Sequence, residues 1–160
     1  MSNCIEILIV EDDPGDTLLA HEVLNELHLN QCSVVLNSAE EAMDFLLSRG
    51  RYSNRDPGLP QVILVDLKMP GMDGFALLEE IKRDPQLKLI PVMVLSSSDE
   101  RVDVERARTL GASGYLVKGV DFASYRAALH SLAGYRTNPE VGRVAAGSCG
   151  DRSNETVEKY

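Results

Sequence analysis

The chain has 160 residues, 44% of them hydrophobic, so it is long enough for one domain with its own core. Its formal net charge of −9 argues against nucleic-acid binding, because proteins that bind nucleic acids present clustered Lys and Arg. The first residues do not resemble a secretory signal, and no run approaches the ~20 apolar residues that cross a bilayer, so we expect a cytoplasmic protein without membrane contact.

Short apolar runs and amphipathic stretches alternate along the chain. Four of the five apolar runs are nearly continuous, which is typical of parallel strands covered on both faces. Between them, apolar residues recur at the spacing of amphipathic helices. In chain order, the predicted elements are strand 5–10, helix 16–29, strand 32–36, helix 38–50, strand 62–66, helix 74–84, strand 91–96, helix 99–111, strand 114–118 and helix 121–134.

The predicted helices carry matching end signals. Ser38, with Glu41 three residues later, is typical of a helix N-terminus, and Gly111 is typical of a C-terminus. The alternating order predicts an α/β fold, a five-stranded parallel sheet with helices on both faces. We assign residues 1–134 to this domain and expect residues 135–160, which are rich in Gly, Ser, Asn and charge, to form a flexible tail.

Polar side chains follow the predicted strands at the points where the strands end. Asp66 interrupts an apolar run, and taken alone it could be a turn or helix-capping residue. The carboxyl ends of parallel strands, however, all lie along one edge of a sheet. We therefore expect a shared site that combines Asp66 with the residues at the other strand ends, namely Glu11, Asp12, Asp13, Ser96, Ser97, Ser98 and Lys118.

The clustered carboxylates need a counter-charge, since two of them about 4 Å apart repel by roughly 4 kcal/mol at an effective dielectric of about 20. Glu11, Asp12 and Asp66 offer only hard oxygen ligands, which favours Mg²⁺ or Mn²⁺ over Zn²⁺. A divalent ion beside a lysine and a hydroxyl suits phosphoryl transfer. In that chemistry Asp66 is the nucleophile, and Lys118 and Ser96 bind phosphoryl oxygens.

Four segments together indicate a family: VEDD after the first strand, DLKMPGMDG around Asp66, VLSSSD after the fourth strand and GYLVK on the fifth. From about Ile5 to Leu132 the chain resembles the receiver domain of two-component response regulators. The resemblance implies the (βα)5 flavodoxin-like fold. It also implies that a partner sensor histidine kinase passes a phosphoryl group to Asp66.

The resemblance further implies roles in metal binding. Asp12 would be the direct ligand, Glu11 would reach the ion through water, and the backbone carbonyl of Lys68 would be the third protein ligand beside Asp66. The Lys68 side chain is a solvated charge, close enough to influence dephosphorylation. Asp13 falls outside the acidic pair, which favours a loop or capping role.

The resemblance implies switching roles as well. Ser97 holds the small-residue position beside the phosphoryl site. Tyr115 resembles the aromatic residue that turns inward when Ser96 moves toward the phosphoryl group, and the alternative is a surface ring on an amphipathic strand. The chain departs from the family at Lys118-Gly119, where a proline across a cis bond usually follows the lysine. A cis bond before a non-proline residue costs about 3 kcal/mol, so we expect a trans or more mobile turn with a functional Lys118.

The connection SRGRYSNRDPGLPQ, which contains residues 49–61, is longer than a compact unit needs, and Pro57, Gly58 and Pro60 stiffen it. With EDDPGD after the first strand, it resembles the small single-domain regulators paired with cyanobacterial-type phytochrome kinases. The alternative is a tolerated surface loop without a role in recognition.

The leading hypothesis is a single-domain response regulator, a phosphoacceptor rather than an enzyme, with Mg²⁺-dependent self-phosphorylation and dephosphorylation. Its face of helix four, strand five and helix five, including Tyr115, Phe122 and Tyr125, would bind partners or form a homodimer. A metal-dependent phosphatase is one alternative, although such enzymes generally carry a second acid where Lys68 stands. A phosphorylation-independent pseudo-receiver is the other, and only Gly119 points to it.

Overall fold

The computed structural model describes residues 6–55, 58–97, 100–118 and 157–159, together with residues 123, 126, 127, 129 and 130. The strands are β1 (Ile7–Val10), β2 (Ser33–Leu36), β3 (Val62–Asp66), β4 (Val92–Ser96), β5 (Gly114–Val117) and β6 (Val157–Lys159). The helices are α1 (Pro14–Glu26), α2 (Ala39–Leu46), α3 (Gly74–Arg83) and α4 (Arg101–Thr109), and Gly50–Tyr52 form a 3₁₀ turn. The five predicted strands and the first four predicted helices are confirmed, with differences of a few residues at their ends.

The strands form one sheet in the order β2-β1-β3-β4-β5-β6, in which β1 to β5 are parallel. The chain moves outward from β1 to β2 and then returns to the opposite side of β1 for β3. The winding therefore reverses between β1 and β3. Ligands bind at such a reversal, outside the carboxyl ends of the strands.

Both faces of the sheet are covered, as the continuous apolar runs predict. Successive residues of a strand point to opposite faces. Leu8 and Val10 of β1 belong to a buried cluster with side chains of α2, α3 and α4, whereas Ile7 and Ile9 belong to a second cluster with side chains of α1. These β1 residues are almost fully buried. Burial of apolar surface stabilises the folded protein by roughly 25 cal/mol per Å². The packing of both clusters therefore fixes the strand ends relative to one another.

The sheet has a sixth strand that no sequence pattern indicates. β6 pairs antiparallel with β5, with Glu158 opposite Tyr115. Three residues are too few to show periodicity, which is why the sequence predicts only a flexible tail there. Residues 135–156 lie outside the described part of the chain, and the division into a domain of residues 1–134 and a tail stays a prediction.

The predicted fifth helix is described only in part. Its described residues are helical, and Arg126 forms a 2.6 Å ion pair with Glu26 at the end of α1. Gly119, Phe122 and Tyr125 lie outside the described residues. Among the helices that are described, none is long and apolar enough to cross a membrane.

Side-chain caps fix the points where the chain turns into its helices. Asp13 Oδ2 accepts a hydrogen bond from the Asp16 N–H at 2.8 Å, and Ser38 Oγ accepts one from the Glu41 N–H at 3.1 Å. Asp73 caps α3 in the same way. The expected capping roles of Asp13 and Ser38 are therefore confirmed, and such caps typically contribute about 1 kcal/mol.

The described part of the long connection between α2 and β3 packs against α2. The Tyr52 hydroxyl donates to Glu41 Oε1 at 2.5 Å, and the Tyr52 ring meets Phe45 edge to face. The Arg55 guanidinium lies 4.0 Å from the centroid of the Phe45 ring, and its Nε donates to the Phe45 carbonyl oxygen at 2.7 Å. These contacts give the connection a defined conformation beside α2.

Gly74 allows α3 to begin directly behind the end of β3. A Cβ atom at Gly74 would lie 2.7 Å from Leu67 Cα and closer still to the carbonyl oxygen of Asp66. Both are backbone atoms that cannot rotate aside. The backbone that carries Asp66 therefore leaves no room for a side chain at position 74.

We predict that Gly74→Ala lowers the free energy of unfolding by about 2 kcal/mol, because overpacking against a fixed backbone typically costs 1–3 kcal/mol. The control is Gly15→Ala in α1, where a Cβ atom would meet only the Asp13 carboxylate, at 3.1 Å, a contact that a shift of a few tenths of an ångström relieves. Urea unfolding of both variants measures the difference. Equal stability of Gly74→Ala and Gly15→Ala would contradict the close approach at Gly74.

Candidate functional site

A buried acidic pocket lies at the winding reversal, beyond the ends of β1 and β3. Glu11 and Asp12 follow β1, and Asp66 is the last residue of β3. One carboxylate oxygen from each of the three residues lies within 4.8 Å of the others. Glu11 is 1% exposed and Asp66 is 6% exposed, whereas Asp12 is partly exposed. The structure therefore brings together the three carboxylates that the sequence predicts to share a site.

Backbone hydrogen bonds hold these carboxylates in place. The Glu11 N–H donates to the Leu36 carbonyl oxygen of β2 at 2.9 Å, and Glu11 Oε1 accepts from the Asp13 N–H at 3.2 Å. Asp66 Oδ1 accepts from the Lys68 N–H at 3.3 Å. The pocket is thus part of the backbone framework of the sheet edge, and the Lys68 backbone lies beside Asp66.

Lys118 enters the pocket from the residue after β5. Its N–H donates to the Ser96 carbonyl oxygen at 2.6 Å, which continues the pairing between β4 and β5. Its Nζ donates to Glu11 Oε2 at 2.7 Å, to Asp16 Oδ2 at 2.7 Å and to Asp66 Oδ2 at 3.2 Å. The placement of Lys118 beside Asp66 agrees with the prediction.

Asp16 also belongs to this network, although the sequence does not assign it to the site. It lies in the first turn of α1, where an acid is common because it interacts favourably with the helix dipole. Its residue type therefore carries no specific signal. Its location, however, is informative. The first turn of a helix that follows β1 lies beside the carboxyl edge of the sheet, and this position could have identified Asp16 as a candidate.

The charges of the pocket do not balance. Burial, reinforced by Asp66 and opposed by Lys118, raises the pKa of Glu11 from its ordinary 4.5 to about 8. Burial alone would lower the pKa of Lys118, but hydrogen bonds to Asp16 and Glu11 and the negative charges around it raise that pKa above its ordinary value. One ammonium therefore does not neutralise the carboxylates that surround it.

The donor set fits a divalent cation. The pocket offers closely spaced carboxylate oxygens, which Mg²⁺ and Mn²⁺ prefer as ligands, and it has a deficit of positive charge. Asp12 is the most exposed of the three acids and provides an open side for water ligands. The predicted ligand role of the Lys68 carbonyl stays a prediction.

The remaining described residues of the predicted site differ in exposure, and Ser98 lies outside the described residues. Ser96 is the last residue of β4 and is fully buried, whereas Ser97 and the Lys68 side chain are exposed. Tyr115 is fully buried and belongs to the cluster that includes Val104 of α4. Burial of the Tyr115 ring contradicts the alternative of a surface ring and is compatible with an inward switch position.

Comparison with known proteins agrees with this geometry. Residues 7–130 match the family profile described as "Response regulator receiver domain". The chain is 40% identical over 112 residues to the response regulator Rcp1 of Synechocystis sp., and the alignment covers 70% of this chain and 75% of Rcp1. The family match therefore includes β1 to β5 and the residues of the pocket.

Two solved structures are similar over most of their length. The phosphorylated cyanobacterial phytochrome response regulator RcpA superposes with a TM-score of 0.77 and is 32% identical, covering 85% of this chain and 96% of RcpA. The Mn²⁺-bound form of Rcp1 superposes with a TM-score of 0.65 at 32% identity, covering 96% of this chain and 97% of Rcp1. The similarity thus extends to one structure with a phosphoryl group and one with a metal.

We predict that Mg²⁺ stabilises the protein and that Asp12→Asn abolishes most of this effect, because the variant removes one charged ligand. A ligand at one hundred times its Kd stabilises a folded protein by about 2.7 kcal/mol. The measurement is thermal unfolding with Mg²⁺ and with a chelator. The control is Asp13→Asn, since Asn caps a helix as well as Asp does and should leave the Mg²⁺ effect intact. Equal Mg²⁺ effects in both variants would contradict the assignment of Asp12.

Proposed function

Because the chain belongs to the response regulator receiver family, we propose that Asp66 accepts a phosphoryl group from a partner histidine kinase in a Mg²⁺-dependent phosphorelay. The observation that carries this proposal is the carboxylate of Asp66 at the end of β3, 3.2 Å from the Lys118 ammonium and beside Glu11 and Asp12. This pocket combines a nucleophile, a fixed cation and a divalent-ion site, which are the requirements of phosphoryl transfer.

The transfer requires little covalent chemistry from the protein. A carboxylate oxygen of Asp66 attacks the phosphorus of a phosphohistidine, so that an O–P bond forms while the N–P bond breaks and its electron pair stays on the imidazole nitrogen. Lys118 offers its N–H donors to a phosphoryl oxygen, and Ser96 binds the group after its arrival. The result is a mixed anhydride whose charge is stabilised by groups that are already in place.

A divalent ion held by Asp12, Asp66, the Lys68 carbonyl and, through water, Glu11 would supply positive charge to the phosphoryl oxygens. We further propose that water hydrolyses the aspartyl phosphate in the same pocket. The Lys68 side chain is exposed and its backbone lies beside Asp66, so this side chain would influence that rate. The protein is thus a signalling protein whose own pocket sets the lifetime of its signal.

Phosphorylation would be read out through β5 and α4. Ser96 and Tyr115 lie on the neighbouring strands β4 and β5, with Val94 opposite Tyr115. Movement of Ser96 toward the phosphoryl group would stabilise the inward position of Tyr115 and so shift an existing equilibrium of the face formed by α4, β5 and the fifth helix. We propose this face as the partner-binding surface and as the contact of a homodimer.

We propose a phytochrome-type sensor histidine kinase as the partner. The proposal is supported by the similarity to RcpA, which is a phytochrome response regulator, and to Rcp1. The packed connection that contains Tyr52 and Arg55 offers a surface by which such a kinase would select this regulator.

No second function is favoured. Lys68 stands where small-molecule phosphatases generally carry their second acid. Gly119, which pointed to a pseudo-receiver, lies outside the described residues, and the complete pocket of Glu11, Asp12, Asp66 and Lys118 argues against that alternative.

We predict that incubation with acetyl phosphate and Mg²⁺ yields one phosphoryl adduct in the wild type and none in Asp66→Asn, because the neutral amide lacks the negatively charged oxygen that attacks phosphorus. Intact-mass spectrometry makes the measurement. Asp73→Asn is the control, because Asp73 caps α3 in the same loop and Asn caps equally well. An adduct that persists in Asp66→Asn would refute the assignment.

We predict that Arg55→Ala slows transfer from a phytochrome-type kinase several-fold while labelling by acetyl phosphate is unchanged. The substitution removes the guanidinium from the Phe45 ring and loosens the connection. Arg51→Ala is the control, because the Arg51 side chain in the same connection is 77% exposed. Identical transfer rates for both variants and the wild type would indicate a tolerated surface loop.

A further inference from the structure

Among the described residues, Lys118 has three carboxylate partners in the pocket, and Asp66 is the most distant of them. Lys118 Nζ lies 2.7 Å from both Glu11 Oε2 and Asp16 Oδ2, and 3.2 Å from Asp66 Oδ2. An ammonium has three N–H donors, so three carboxylates match its capacity. Asp16 therefore competes with Asp66 for the cation that the proposed phosphoryl transfer requires.

The structure holds Asp16 firmly in this position. Its backbone N–H donates to the capping carboxylate of Asp13 at 2.8 Å, and Pro14 restricts the backbone where α1 begins. An acid that served only the helix dipole would need no partner on β5. The ion pair with Lys118 joins residues that are 102 positions apart in the chain, and so it ties α1 to β5.

A phosphoryl group on Asp66 adds oxygens that compete for the same three N–H donors. The N–H donor that faces Asp66 can pass to one phosphoryl oxygen, but a second phosphoryl oxygen is bound only if Lys118 releases Glu11 or Asp16. The Glu11 side chain is 1% exposed, so loss of the ammonium would leave a buried oxygen without its hydrogen-bond donor and out of reach of water, which is costly. The Asp16 side chain is 29% exposed, so water can take the place of the ammonium. Asp16 is therefore the partner whose release costs least.

We propose that Asp16 is a positioning residue that holds Lys118 in the unphosphorylated protein and is exchanged for phosphoryl oxygens on phosphorylation. This inference rests on the proposed function of Asp66. A contact made in only one of two states shifts the equilibrium toward that state, so Asp16 opposes phosphorylation. The exchange also frees the first turn of α1 from β5, which makes the start of α1 sensitive to the state of Asp66.

The test measures the affinity for beryllofluoride, a noncovalent mimic of the phosphoryl group, by calorimetry in the presence of Mg²⁺. Asp16→Asn is expected to bind beryllofluoride about two- to five-fold more tightly than the wild type, the range that a partly exposed ion pair supports. Glu22→Gln is the matched control, because Glu22 is an exposed acid of α1 and the substitution changes the net charge equally. Its affinity should equal that of the wild type.

Two further variants separate positioning from a merely structural role. Asp16→Glu keeps the carboxylate and should restore an affinity near that of the wild type. In a Lys118→Met background, Asp16→Asn should leave the remaining affinity unchanged, because the double-mutant cycle isolates the contact between the two side chains. An effect of Asp16→Asn that persists without the ammonium would overturn the proposal.

Affinity that is unchanged or weaker in Asp16→Asn would also overturn the proposal while leaving the role of Asp66 intact. If the wild type bound no beryllofluoride in the presence of Mg²⁺, that result would instead refute the proposed function and, with it, the role of Asp16. Thermal unfolding of each variant verifies that the compared proteins are folded.

Discussion

The excess of buried negative charge at the ends of β1 and β3 is the constraint on which the rest of the site depends. Glu11 and Asp66 are almost fully buried, and Lys118 is shared between them and Asp16. Buried carboxylates are costly unless they are paired. The pocket therefore favours bound cations, and it responds strongly when a further anionic group arrives. That sensitivity is what a phosphorylation switch requires.

Through the sheet, a change in the pocket would reach the proposed partner face. The pocket residues come from the ends of three strands: Glu11 and Asp12 follow β1, Asp66 ends β3 and Lys118 follows β5. Because both faces of the sheet are packed, a shift at the edge cannot be absorbed by a loose core. Ser96 and Tyr115 lie on the adjacent strands that connect the pocket to α4, so a rearrangement around Asp66 has a short, rigid path to the proposed partner face.

Much of this architecture could be predicted from the sequence, because a parallel sheet imposes continuous apolar runs and places every strand end on one edge. That rule alone brings Glu11, Asp66 and Lys118 together. Three features could not be predicted. The location of Asp16 at the start of α1 makes it a candidate for the site, but its contact with Lys118 is known only from the structure. β6 is too short for a periodic pattern, and the contacts of Arg55 join residues whose neighbourhood only the folded connection defines.

The most direct test of the charge deficit is anomalous diffraction from crystals of the full chain grown with Mn²⁺. A single strong peak in contact with oxygens of Asp12 and Asp66 is the expected result, since the deficit lies between these residues and Lys118. If crystals grown with saturating Mn²⁺ showed no peak in this pocket, or showed the metal only at other surface acids, the result would contradict the charge deficit.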